Sequence, residues 1–174
     1  MLMALLKTAG EGGSAFAALA EPWSKLFAHS KAVSATVTFL HLVPLILAAG
    51  TAWTADRATL RAARASSAER TRQLAELAAT HRLVIGGLAL SFVSGVLLFL
   101  SDVDSFLPSP VFWVKLALVA ALLANGFMMT RTERAMAARG DDDALWGRLR
   151  TLAIASAVLW IATTFVGVVL TTYA

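Results

Sequence analysis

The sequence predicts an all-α integral membrane protein, an antiparallel bundle of four transmembrane helices led by a short N-terminal interfacial helix. Three observations predict it. Residues 32–55, 83–101, 111–130 and 151–173 form four apolar stretches with a single formal charge among them, Lys115. Each is long enough to cross a hydrocarbon core of roughly 30 Å, which takes about 20 residues of helix. The 174 residues are 58% apolar and 15% charged, with a mean hydropathy of +0.71, where a soluble domain has about 25% charged residues. All eleven Arg residues fall in two of the connections between those stretches. One helix of a large soluble protein can be this apolar, but four of them in 174 residues would leave nothing to cover them. Disorder, a collagen-like fibre and an ordinary soluble domain are excluded. The chain has no Cys, which removes disulfides, thiolate metal sites and Cys nucleophiles.

The elements follow in order. Residues 1–30 form an N-terminal segment on the outer leaflet, and residues 31–174 form the bundle. Residues 1–6 are apolar but have no positive stretch before them and no cleavage site after them, so they do not read as a signal peptide. Gly10, Gly12 and Gly13 break the chain. Residues 14–30 then read as an amphipathic stretch lying flat on the membrane, anchored by Phe16, Leu19, Trp23, Leu26 and Phe27 and bent at Pro22. The helix of the second span starts well before the span, at the capping box Ser66-Ser67-Ala68-Glu69. Ser109-Pro110 supplies an N-cap and an initial proline for the third helix. Gly140 suits the end of that helix, and Asp141-Asp142-Asp143 offers N-cap oxygens and dipole-matched charge to the fourth. Helices two, three and four are expected to protrude about one to three turns beyond their spans. Trp53, Trp113 and Tyr173 sit near span ends, as interfacial aromatic belts require.

Orientation follows from the cations. Arg57, Arg61, Arg64, Arg70, Arg72 and Arg82 lie in the first connection, and Arg131, Arg134, Arg139, Arg148 and Arg150 in the third. The connection 102–110 has two Asp and no Lys or Arg, and the N-terminal segment has only Lys7, Lys25 and Lys31. The positive-inside rule places both Arg-rich connections in the cytoplasm and both termini outside. This describes a multi-pass protein of the bacterial inner membrane with periplasmic termini. The basic pI of about 10.1 is then an orientation signal, and nucleic acid is not an expected partner.

Inside the spans, small residues recur at four-residue spacing. Gly87, Ser91 and Gly95 form one ridge, and Ala117, Ala121 and Asn125 another. Such ridges let helix backbones approach closely in lipid. His41 lies about nine residues into its span, roughly 14 Å at 1.5 Å per residue, near the midplane. Pro44 cannot donate to the carbonyl of Leu40, so a kink beside His41 is expected. Ser91, Ser94, Thr163 and Thr164 fall at similar depth. Two readings of His41 stand: a neutral ring bonded to a hydroxyl or to the freed carbonyl, or a functional intramembrane group. Lys115 either snorkels to the outer surface, pairs with Asp102 or Asp104, or attracts a headgroup or a quinone oxygen. His29 and His81 read as interfacial, structural or solvated. The spans hold no paired carboxylates, and the chain has no Ser/His/Asp spacing, phosphate loop or HExxH.

Several short motifs also carry a likeness. They are His41-Leu42 with Ala49-Gly50 and Asp56-Arg57, Ser94-Gly95-Val96-Leu97-Leu98 with Asp102, Phe112-Trp113-Val114-Lys115-Leu116 with Asn125, and Ser156 with Leu159-Trp160. On these the chain resembles an uncharacterised family of small four-helix bacterial inner-membrane proteins. That family is distantly similar to copper-resistance-D-type and cytochrome-b-type membrane bundles. The likeness runs from about Trp23 to Tyr173. It implies a membrane module that works near redox or metal chemistry, with His41 as the residue that matches the haem-binding relatives.

The leading functional expectation is a non-catalytic accessory subunit of a larger bacterial redox or energy-converting membrane complex. Its partners are the lipid bilayer and larger subunits or a second copy of itself. One alternative is a haem- or quinone-binding electron carrier, with His41 and Lys115 as cofactor-binding residues and His41 as the metal ligand where haem b supplies the iron. The other is a small transporter or metal-permeation protein.

Overall fold

The structure is a computed structural model that describes residues 17–140 and 142–173. The expectations for residues 1–16, for Asp141 and for the Tyr173 side chain lie outside the described residues. The described chain is helical, with no strand. Helix α1 covers residues 17–29. It is followed by α2 (Lys31–Ala62), α3 (Ser67–Ser101), the short α4 (Val103–Phe106), α5 (Pro110–Arg139) and α6 (Asp143–Tyr173). Four of these, α2, α3, α5 and α6, are long and apolar enough to cross a membrane.

The helix ends follow local chemistry. Ser30 caps α2, its hydroxyl accepting from Val33 N at 3.3 Å. Ser109 accepts from Phe112 N at 3.4 Å, and Pro110 takes the first turn of α5. There the missing N–H is no loss, because the first four helical N–H groups have no intrahelical acceptor. Gly140 ends α5 with φ of 85° and donates its N–H to Met136 O. Asp142 accepts from Ala144 N at 2.8 Å at the start of α6.

Ser66 precedes α3 as expected, but its hydroxyl makes no capping bond. The start of α3 is held instead by Arg70. Its guanidinium donates to Ala63 O at 2.9 Å, pairs with Asp143 at 2.8 Å and lies 5.3 Å above the Trp146 ring. One side chain thus ties the end of α2 to the starts of α3 and α6. The overhang of α3 is also longer than expected. It begins at Ser67, about four turns before residue 83.

Helix α3 folds back along α2. Their contacts run in opposite order along the two chains: His41 meets Ser91, Gly87 approaches Pro44, and Gln73 donates to Thr59 at 3.3 Å. Helix α5 packs on α6, and α2 packs on α6. Helices α3 and α5 barely touch. Two apolar clusters follow from this arrangement. Leu77, Met129, Met136, Trp146, Leu149 and Ala153 are buried together near the Arg-rich turns, and Ala48, Ala52, Leu122 and Trp160 nearer the middle. Large apolar side chains also cover the outside: Phe39, Ile46, Phe92, Phe127, Ile161 and Phe165 are each at least 60% exposed.

The two small-residue ridges have different fates. Gly87, Ser91 and Gly95 form the seam with α2. A Cβ on Gly87 would lie 2.9 Å from Pro44 O and 3.0 Å from Ala48 Cβ, so glycine there lets the backbones meet. The second ridge is a correction to the sequence reading. Ala117 and Ala121 are exposed, and Asn125 is the member that turns inward. Neither of these alanines lines the gap between α3 and α5, and both stay uncovered by the other described helices.

Helix α1 docks by two bonds to the far end of α3. Trp23 Nε1 donates to Leu97 O at 2.8 Å, and Ser24 Oγ to Ser101 O at 2.8 Å. Of the expected anchors, Trp23 is therefore committed to α3, while Leu19 stays 82% exposed. An exposed Glu21–Lys25 pair at 2.6 Å holds the Glu21 carboxyl below its ordinary value.

Candidate functional site

Two polar layers interrupt the apolar interior. The first, between the middles of α2 and α3, contains His41. Because Pro44 has no N–H, Leu40 O has no helical donor. Ser94 Oγ lies 3.2 Å from that oxygen, and Ser91 Oγ donates to His41 O at 3.0 Å. His41 Nδ1 lies 2.9 Å from Ser91 O. A carbonyl only accepts, so the ring carries its proton on Nδ1 and, when neutral, keeps its lone pair on Nε2. The ring lies against Gly95, its Cε1 3.1 Å from where a Cβ would stand.

The two predicted site residues face different helices, His41 the seam with α3 and Lys115 the helix α6, where its Nζ lies 3.8 Å from where a Gly167 Cβ would be; Lys115 reaches His41 only as an electrostatic neighbour. Lys115 thus turns into the helices toward α6, away from Asp102, whose carboxylate accepts from Ser105 N at 3.2 Å as the cap of α4. Thr163 is buried with its hydroxyl unpartnered, whereas Thr164 is exposed.

The second layer lies nearer the Arg-rich turns and was missed by the sequence reading. Asp56 is only 3% exposed. Ser156 of α6 and His81 of α3 are its polar neighbours, and its Oδ2 has no hydrogen-bond partner. His81 Nδ1 in turn lies 3.1 Å from Glu133 Oε2, with both side chains largely buried. Of the expected readings of His81, structural or solvated, its burial against Glu133 excludes the solvated one. By contrast His29 is exposed, its Nδ1 2.8 Å from Lys25 O. Asn125, 7% exposed, donates to Leu152 O at 3.1 Å.

This layer borders a cavity of about 350 Å³ in the gap between α3 and α5. Asp56, His81, Asn125, Ser156 and Arg134 supply its polar wall, and Leu77, Val84, Leu88, Leu122 and Trp160 much of its apolar wall. A roomy apolar pocket with a few convergent polar groups is the usual form of a small-molecule site. Helices α3 and α5 close the gap at its two ends only, through the His81–Glu133 pair and through Phe99 stacked on Phe112 at 5.2 Å.

The signal for this layer was present but divided. Asp56 follows the uncharged run 32–55 directly, where a first charge marks the edge of a span. The helix in fact continues to Ala62. His81 stands next to Arg82, which places it in a basic connection. Only the overhang of α3 alongside α2, α5 and α6 brings both inside.

Among the described residues, no group of three His, Cys, Asp or Glu side chains is placed to hold a metal ion. The two interior histidines do not fit a bis-His haem, whose iron would need both on one plane. His41 faces Ser91, ten residues along α3 from His81, which belongs to the other layer. No protein-family model, curated protein or solved structure matches the chain.

Proposed function

We propose that the chain is an integral membrane protein of the bacterial inner membrane, an antiparallel four-helix bundle with both termini outside, that serves as a small accessory subunit of a larger redox or energy-converting assembly. The observation that carries this is an uncovered stripe on α5. Ala117 and Ala121 are small and exposed, and lie outside the lining of the gap between α3 and α5. In lipid, small residues are the common means of close helix contact, because apolar area alone gives helices no reason to prefer each other over lipid tails. A helix of a larger subunit, or of a second copy, seated on this stripe would use the ridge that the chain itself leaves unused.

Membrane insertion is supported by the four long apolar helices and by the large apolar side chains on their outer faces. The Arg-rich turns at one end support the orientation. The test is purification in a mild detergent. The expected result is co-elution with larger membrane proteins in fixed stoichiometry, lost in Ala121→Leu. Recovery as a free monomer under those conditions would sink the proposal. A reporter fused after Ala174 is expected to read as periplasmic, and a cytoplasmic signal would reverse the orientation.

A second reading, an electron carrier at His41, is favoured by one observation. A ring whose Nδ1–H is held by a backbone carbonyl has its tautomer fixed, the arrangement that usually orients a ligating or proton-exchanging imidazole. Lys115 beside it would favour an electron-rich oxygen such as that of a quinone. Absorption spectra of the oxidised and dithionite-reduced protein test its haem form. Bands that shift on reduction and vanish in His41→Ala would support it, and a colourless sample would count against it.

A further inference from the structure

We infer that the cavity between α3 and α5 is a binding site for a small lipophilic amine, whose protonated nitrogen pairs with Asp56. The inference stands on the isolated chain and is independent of the proposed partner subunit.

The argument starts from the hydrogen-bond inventory of the wall. Ser156 is the hydroxyl neighbour of the carboxylate. Asn125 Nδ2 gives a proton to Leu152 O, Thr130 to Phe127 O and Thr80 to Glu76 O. Asn125, Thr130 and Thr80 thus direct their donors to the backbone and not to Asp56. What they leave facing the cavity is acceptor capacity, foremost the Asp56 Oδ2 with no partner at 3% exposure. A buried carboxylate oxygen without a donor costs free energy that a ligand with N–H groups can recover.

Charge points to the same class. The ion pairs among the described residues do not include Asp56. His81 is its electrostatic neighbour but lies against Glu133. Arg134 lines the cavity one turn beyond Thr130, on the side of the Arg-rich turns, and is itself exposed. A cation entering from the gap would supply the missing countercharge, in a setting where water competes poorly. The rest of the wall selects an apolar body, with Val84, Leu88, Leu122 and Trp160 around it. At about 350 Å³ the space lies at the small end of ligand pockets, which span roughly 300–1,000 Å³. A compact apolar cage with one ammonium fits those terms, and a sugar, a nucleotide or an anion does not.

The experiment uses the full chain in lipid nanodiscs, with empty discs as the blank. Saturable binding is measured for 1-adamantylamine, for its neutral isostere 1-adamantanol, for 1-adamantanecarboxylate, and for a short-chain benzoquinone. The expected result is one site that prefers the amine to the alcohol by at least about tenfold, the carboxylate being weakest. Asp56→Asn should bring amine and alcohol to within about twofold of each other while leaving alcohol binding in place. Leu122→Trp should weaken both by filling the cavity. Equal binding of amine and alcohol, a preference for the carboxylate or the quinone, or an amine preference that survives in Asp56→Asn would each overturn the inference. Should Asp56→Asn fail to fold, the amine-to-alcohol ratio of the unaltered protein, read with Leu122→Trp, still decides the matter.

Discussion

Along α3, the face turned to α2 and the face turned to α5 differ in what fills the space between helices. On the α2 face the filling is backbone. Gly87 lets Pro44 O and Ala48 approach, and the carbonyl freed by Pro44 is met by a hydroxyl from Ser94. On the α5 face the filling is long polar side chains at one end, stacked aromatics at the other, and a cavity between them. A seam made of glycine and serine has two-sided geometric demands and few ways to satisfy them. A gap propped by side chains has slack. The first face fixes the fold, and the second is free to carry a ligand or a neighbour.

The largest expected effect comes from breaking the seam. In Gly87→Leu the new side chain has no place to go, because its Cβ alone would stand 2.9 Å from Pro44 O, a backbone atom that cannot swing aside. Overpacking of this kind costs about 3 kcal/mol or more where the neighbour is rigid. Reversible unfolding in mixed micelles should show that loss. A change below about 1 kcal/mol would mean that α2 and α3 do not meet as described.

The next effect has the opposite sign and belongs to the cavity. Asp56→Asn removes a buried charge that is in no ion pair among the described residues, at nearly constant volume. The variant is expected to be more stable by about 1 kcal/mol in the same assay, while losing its preference for the amine. Asp56 would then be a residue kept for binding at a cost in stability. A destabilised but folded Asp56→Asn would instead make the Asp56 carboxylate a structural strut between α2 and its neighbours.

Much of the seam could be read from the residues, and little of the cavity could. The ridge Gly87, Ser91, Gly95, the Leu40 carbonyl freed by Pro44, and the depth match of His41 with Ser91 and Ser94 all follow from helical spacing within single elements. Ser109-Pro110 and Gly140 mark helix ends for the same local reason. The Asp56–His81–Glu133 layer depends on three helices running past their apolar stretches at one end. No period within any one of them encodes how far their neighbours extend. Ala117 and Ala121 show the complementary limit. A small apolar residue looks the same whether it faces lipid or a helix, so spacing alone could not say that this ridge stays uncovered.

A smaller effect sharpens the seam itself. Ser91→Ala removes the hydroxyl that donates to His41 O but leaves the Ser91 carbonyl that holds the ring. Interhelical hydrogen bonds in lipid average about 0.6 kcal/mol, and a loss of that size is expected. The His41 ring should keep its tautomer, which 15N chemical shifts of the imidazole report. A shift to the Nε2–H form would show that the hydroxyl, not the carbonyl, orients the ring.

The smallest effect is the mirror of the first. Gly126 lies on α5 beside the cavity, and a Cβ added there meets nothing within 4 Å. Gly126→Ala should therefore be neutral or gain about 0.5 kcal/mol from reduced backbone freedom in the unfolded chain. The same substitution at Gly87 forces two backbones apart. Measured side by side, the pair isolates the geometry of the two faces from the chemistry of the residue, since the methyl group is identical. If Gly126→Ala proved as damaging as Gly87→Ala, α5 would have to sit against another surface in the membrane. That surface would be α3 itself, closed across the gap that Gly126 lines.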